Sequence, residues 1–194
     1  MNMARLQMPP EDALTAEQAQ ACAEVRSGLR GKVPAPMVAW LRSPDLARRG
    51  QRLGELLRFE TTLEPVLTEL AILVCGRHWT SHHEWKAHKA LALQAGLDPR
   101  VADDIAARRA PVLADARQQL VYTLASTLLA SGRIPAPLYA QGLATLGERG
   151  LVELVGVLGY YCMVSLTLNA FELGLPEGAA PELQDPDLPA TGAP

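Results

Sequence analysis

Apolar positions recur along this chain at helical spacing, Ala and Leu dominate, and β-branched runs are short, so the pattern predicts an all-α protein. Thr15-Ala-Glu-Gln18 is a capping box that opens a helix to about Gly28. Ser43-Pro44-Asp45 places a cap and a first-turn proline before a second helix, and Gly31 to Pro36 between them reads as a loop. Glu64-Pro65 opens an apolar helix from Val66 to about His78, in which Leu67, Leu70, Ala71 and Val74 repeat and two charges, Glu69 and Arg77, intrude. Ser81-His-His-Glu84 has the form of another capping box, and its helix should run to Gly96.

The remaining helices are expected from Asp98-Pro99 to before Pro111, over Ala114 to Ala130, over Pro137 to Leu146, and over Leu151 to Leu173. The last is apolar almost all round, as befits a helix at a domain centre or a subunit interface. Beyond Gly174 the chain turns to Pro, Ala, Gly and acidic residues. The expected organisation is therefore one helical domain over residues 1–175 and an extended or disordered tail over 176–194.

Composition narrows the function. A chain of 194 residues is most simply one domain. No window approaches the ~20 apolar residues of a spanning helix and no signal-peptide pattern opens the chain, so a soluble, cytoplasmic protein with no membrane partner is expected. The three cysteines, Cys22, Cys75 and Cys162, are odd in number and lack C-x-x-C spacing, which favours a reducing compartment and disfavours a redox dithiol or zinc ribbon. A net charge of −3 with dispersed basic residues gives no footprint for nucleic acid, leaving a small molecule or a protein as partner.

The candidate chemistry lies between residues 78 and 88, which hold all 4 histidines, His78, His82, His83 and His88, with Ser81, Glu84, Trp79 and Trp85. Histidine exchanges protons near neutrality, so clustering it beside a carboxylate points to proton transfer or to a metal. On an ideal helix Ser81, Glu84 and His88 share roughly 60° of arc, while His83 lies about 140° from His88. The helix N-terminus there also offers free N–H groups to an anion. Plainer readings stand beside these: Ser81 and Glu84 as caps, His88 and Glu84 as an i,i+4 pair, and Trp79 and Trp85 as core. His78, His82 and His83 are the alternative metal set, although His83-Glu84-Trp-Lys-Ala-His88 is one residue longer than H-E-x-x-H. Glu69, inside an apolar helix, must be ion-paired, by Arg77 or a partner subunit, or be a functional acid with a raised pKa.

Several motifs in order resemble the carboxymuconolactone decarboxylase family and, more distantly, its alkylhydroperoxidase D relatives. They are Thr68-Glu-Leu-Ala-Ile-Leu73, Glu84-Trp-Lys-Ala-His88 with Ala95-Gly-Leu97, Gly150-Leu-Val-Glu-Leu154, Gly159-Tyr-Tyr161 and Leu168-Asn-Ala-Phe-Glu172, spanning roughly residues 36 to 176. The resemblance implies an alkylhydroperoxidase D-like helical bundle that assembles as a homo-oligomer, trimer or hexamer, with its site near a subunit boundary. Glu69 and His88 occupy the positions of the peroxidase branch's relay glutamate and histidine, and His83 matches a histidine between its two cysteines. Those cysteine positions are Ser81 and Glu84 here, so the dithiol chemistry is not carried over, and Cys75, upstream, has no matching second thiol.

The decarboxylase branch lacks the dithiol and uses no cofactor. The resemblance therefore implies a carboxy-lyase of aromatic-compound degradation acting on a small carboxylic acid or lactone such as γ-carboxymuconolactone. His88 would be its general acid, tuned by Glu84 or Glu69, with His83 nearby and Ser81 to His83 holding an oxyanion or a substrate carboxylate. Arg77 is the candidate carboxylate clamp, and Trp85, Tyr160 and Tyr161 are candidate pocket walls. A related isomerase or hydrolase, a non-enzymatic binder of small acids, and a metal-dependent hydrolase remain the alternatives.

Overall fold

The computed structural model describes residues 4–175 and 178–184. Among them lie eight α-helices and no strand: α1 (Ala16–Ser27), α2 (Met37–Trp40), α3 (Pro44–Phe59), α4 (Pro65–His78), α5 (His82–Gln94), α6 (Pro99–Ala106), α7 (Ala116–Ser131) and α8 (Ala136–Ala170). Helix α4 is the hub, packed against α5, α6, α7 and α8. Every residue from Leu67 to Arg77 is buried, so this helix is covered on all sides. That is why its apolar character extends around the cylinder rather than along one stripe.

The local signals act largely as the sequence predicts. Thr15 forms the full capping box, accepting from Gln18 N at 3.3 Å while its own N–H donates to Gln18 Oε1 at 3.0 Å. Gly96, at φ 98°, ends α5 with Leu97 N reaching back to Ala92 O at 2.9 Å. The short α2, just after the expected loop of Gly31 to Pro36, forms where Trp40 packs over Gly50 and edge-on to Tyr160 at 6.2 Å.

Two expectations need correction. First, Ser81 precedes α5 but its side chain makes no cap bond, and the Glu84 carboxylate meets His88 rather than the helix start. The α4–α5 turn is closed by backbone: Thr80, at φ 46°, lets Ser81 N reach Gly76 O at 2.8 Å, and Asn169 Nδ2 clasps Trp79 O at 2.7 Å. The two helices expected at 137–146 and 151–173 are both present as the halves of α8, separated at Gly147, whose φ 69° and ψ 172° break the helix at a single residue. Second, α8 is long and apolar enough, by length and composition, to cross a membrane. In this fold it lies beside α3, α4 and α7, and half of its most apolar window is buried.

Residues 178–184 carry no helix or strand, yet they are anchored. Glu182 meets Lys89 Nζ at 2.8 Å and Trp85 Nε1 at 3.4 Å, Leu183 is buried, and Gln184 O accepts from Arg77 Nη2 at 2.7 Å. The rest of the expected tail, residues 176–177 and 185–194, lies outside the described residues.

Gly147 sits in a backbone region that side chains avoid. Gly147→Ala should cost about 1–3 kcal/mol of stability, read as a lower denaturation midpoint. An unchanged midpoint would show that the interruption relaxes at no cost.

Candidate proton-relay site

Helix α5 carries Glu84 and His88 one turn apart, and α4 brings Glu69 to the same imidazole. His88 Nδ1 lies 2.6 Å from Glu69 Oε2, and His88 Nε2 lies 3.2 Å from Glu84 Oε2. The three side chains are only 6%, 10% and 7% exposed for His88, Glu69 and Glu84. With a carboxylate at each ring nitrogen, the ring satisfies both contacts only as an imidazolium donating two N–H groups.

The electrostatics follow. Burial alone would lower the His88 pKa, but hydrogen bonds and charge from Glu69 and Glu84 outweigh it and hold the group up at about 9. Burial would raise Glu84, but the His88 hydrogen bond and the charges of His88, His83 and Arg30 leave it below its ordinary value. Arg58 Nη2, 3.9 Å from Glu69 Oε1, balances the second carboxylate.

Tyr161 closes one side, its ring edge-on to His88 at 4.9 Å, and Tyr160 stacks edge-on to Tyr161 at 5.3 Å. Burial first, and the Glu84 charge next, push the Tyr161 phenol well above its usual range, so it stays protonated. Arg30 Nη2 reaches Tyr160 OH at 3.5 Å across Gly54, where any side chain would collide with both groups. The hydroxyls of Ser81 and Tyr161 are buried without a hydrogen-bond partner.

Among the expected site residues, Glu69, Glu84 and His88 converge, with Tyr161 and Tyr160 beside them. Others do not join. Arg77, the expected carboxylate clamp and one expected partner of Glu69, is built into the fold, donating to Ala106 O, Thr80 Oγ1 and Gln184 O at 2.7–2.9 Å. It lines a cleft of about 200 Å³ with His78, Arg108, Arg109 and Tyr122, where Arg109 is held by Asp104 at 2.7 Å. Trp85 is a core residue whose N–H reaches Glu182, not a wall of the relay.

The histidines separate as well. His83 Nδ1 turns to Gly174 O at 3.2 Å. His78 is exposed and packs edge-on to Trp79 at 5.0 Å, while His82 is half-buried with its Nδ1 unpartnered. Burial, then Arg108 for His78 and Arg77 for His82, lowers both pKa values. His78, His82 and His83 therefore make no common centre, and no group of three or more His, Cys, Asp or Glu among the described residues is arranged to hold a metal.

Sequence reasoning missed Arg58 and Arg30, and it missed a second thiol beside Cys75. Cys162 Sγ stands 3.6 Å from Cys75 Sγ although the residues are 87 apart in sequence. The two positive charges had no local motif to find them. The thiol pair joins α4 to α8, and no local motif connects the two cysteines.

Relay and stability are linked. His88 is raised from about 6.5 to about 9, so its contribution is complete below pH 6.5 and is lost as pH climbs through 9. The lowered Glu84 contributes above its ordinary value of 4.5 and loses that contribution on acidification. The denaturation midpoint should thus peak between about pH 5 and 7 and decline toward 9. His88→Gln should lose about 3–5 kcal/mol at neutrality, and its alkaline decline should flatten; an unaltered decline would assign the pH dependence to other groups.

Comparison with known proteins places the fold. No protein-family model matches the chain, and no curated protein matches it. Among solved structures, an uncharacterized peroxidase-related protein from Silicibacter sp. TM1040 is similar at 20% identity and a TM-score of 0.71, over 90% of this chain and 92% of that one. An alkylhydroperoxidase AhpD core, an uncharacterized peroxidase-related protein from Ralstonia eutropha JMP134, is similar at 18% identity and a TM-score of 0.72, over 91% and 94%. The chain is an all-α protein with the alkylhydroperoxidase D-like fold.

Proposed function

We propose that the protein is a cofactor-free acid–base enzyme, a carboxy-lyase or close relative acting on a small carboxylated lactone of the γ-carboxymuconolactone type. One observation carries the reading: a buried imidazolium held between two carboxylates, 2.6 Å and 3.2 Å away. Such a group is charged at neutrality and can deliver a proton to carbon, after which the carboxylates favour its recharging. Loss of CO₂ from the substrate leaves its electron pair in the unsaturated lactone as a dienolate. His88 protonates that carbon, and the buried Ser81 and Tyr161 hydroxyls supply donors for the developing oxyanion. The sequence resemblance to the decarboxylase family supports the substrate class.

The same reading includes assembly with further copies of this chain as a trimer or hexamer. Leu53, Leu56 and Phe59 of α3 and Val152 and Val155 of α8 are exposed apolar side chains on two helices that pack together. They suit an interface between copies of this chain that would border the closed relay. Light scattering on the purified chain should give a mass of three or six protomers at micromolar concentration; a sharp monomer contradicts the assembly.

The activity is tested by loss of γ-carboxymuconolactone absorbance coupled to CO₂ detection, with and without chelator. Turnover should be unaffected by chelator, decline as pH rises through about 9 with loss of the imidazolium, and fall by roughly 10²-fold or more in His88→Gln. Full turnover by a folded His88→Gln protein would refute the assignment of the acid.

A further inference from the structure

Arg77, which stands apart from the relay, belongs to a second cationic centre. The cleft of about 200 Å³ that it lines lies between α4, α7 and the end of α6, with His78, Arg108 and Arg109 also on its wall. Tyr122 and Ser126 add hydroxyls, and no carboxylate is among the described residues that line it. Three guanidiniums therefore border one small space. Asp104 meets one of them, Arg109, at 2.7 Å. The other two crowd a single oxygen: Thr80 Oγ1 accepts from Arg77 Nη1 at 2.9 Å and from Arg108 Nη2 at 3.4 Å. Arg77 is only 5% exposed, and a cation so enclosed is stabilised by a negative charge at short range. The backbone is bent to make this arrangement. Thr80 and Arg108, at φ 46° and 55°, both hold a left-handed conformation that side chains rarely adopt, and strain of that kind gathers at ligand clamps.

The strap of residues 178–184 leads to the same place. Leu183 is buried, Glu182 is engaged by Lys89 and Trp85, and Gln184 O accepts from Arg77 Nη2 at 2.7 Å. One of the cleft's own guanidiniums thus holds the chain at its edge. The next three residues in sequence are Asp185, Pro186 and Asp187, which lie outside the described residues. Consecutive Cα atoms are about 3.8 Å apart, so the first of these carboxylates has a single residue to cover. We propose that Asp185 and Asp187 are the counter-ions of the cleft, docked by their carboxylates against Arg77 and Arg108, and that the strap so anchored latches α4 to the end of α6 and shuts small oxyanions out. A carboxylate matches the planar fork of a guanidinium in two-point contact, and a tethered one binds at high effective concentration. A carboxylate or phosphate from solution lacks the tether and enters only when the chain's own acids are removed. The cleft is separate from His88, so turnover at the relay has no bearing on the test.

The test compares the unaltered full chain with Asp185→Asn/Asp187→Asn and with an equal charge change at two exposed acids elsewhere, Asp12→Asn/Glu148→Gln. Heteronuclear NMR of the arginine Nε–H groups should show Arg77 and Arg108 moved in the tail variant and unmoved in the control. Inorganic phosphate, titrated by calorimetry, should bind the tail variant roughly tenfold or more tighter than the unaltered chain. Adding Arg108→Gln to the tail variant should erase that gain. Arginine signals identical in all three proteins would overturn the proposal, as would equal affinity of phosphate for the unaltered chain and the tail variant. A gain that survives Arg108→Gln would put the anion outside the cleft and overturn it as well.

Discussion

An imidazolium between two buried carboxylates is the constraint around which this molecule is arranged. Ions so enclosed are costly to desolvate, and the cost is offset only when each charge is met at short range and every polar hydrogen has an acceptor. Glu69 and Glu84 meet both ring nitrogens of His88, and Arg58 approaches Glu69 from α3. Four elements are therefore committed to one point: α4 supplies Glu69, α5 supplies Glu84 and His88, α3 supplies Arg58, and α8 lays Tyr161 against the ring. The strained Thr80 turn, which fixes the start of α5, has the same role of aligning α5 on α4.

This arrangement accounts for features that would otherwise look like defects. Glu84 turns to His88 rather than to the start of α5, where Ser81 N donates to Gly76 O instead and the Ser81 hydroxyl is unpartnered. An apolar helix such as α4 accepts a carboxylate at Glu69 because the partner arrives from the neighbouring helix. The absence of a side chain at Gly54 is what lets Tyr160 and Arg30 approach α3 and extend the polar layer outward.

How far this was legible in the sequence depends on range. Helix boundaries at Thr15, Asp98 and Gly96 rest on neighbours within a few residues, and so does the Glu84 to His88 pairing, which helical periodicity places on one face. The need of Glu69 for a cation was also legible, but not which cation: Arg77, nearest in sequence, spends its guanidinium on Ala106, Thr80 and Gln184. Arg58, Arg30 and the meeting of Cys75 with Cys162 depend on how α3, α4 and α8 stack. No spacing rule encodes such contacts. The capping-box pattern at Ser81 failed because its glutamate has a second partner one turn on, the buried His88, in place of a local hydrogen bond worth about 1 kcal/mol.

The charge of Glu84 also opposes ionisation of Cys75 while the carboxylate pairs with His88. The field of the relay thus extends to Cys75, while the relay's own charge rests on the protonation state of His88. Direct observation of that state is the most incisive measurement: NMR of the His88 ring nitrogens across pH. The account predicts two protonated nitrogens at neutrality and a midpoint near 9. A single protonated nitrogen at pH 7, or a midpoint at or below the ordinary 6.5, would contradict it.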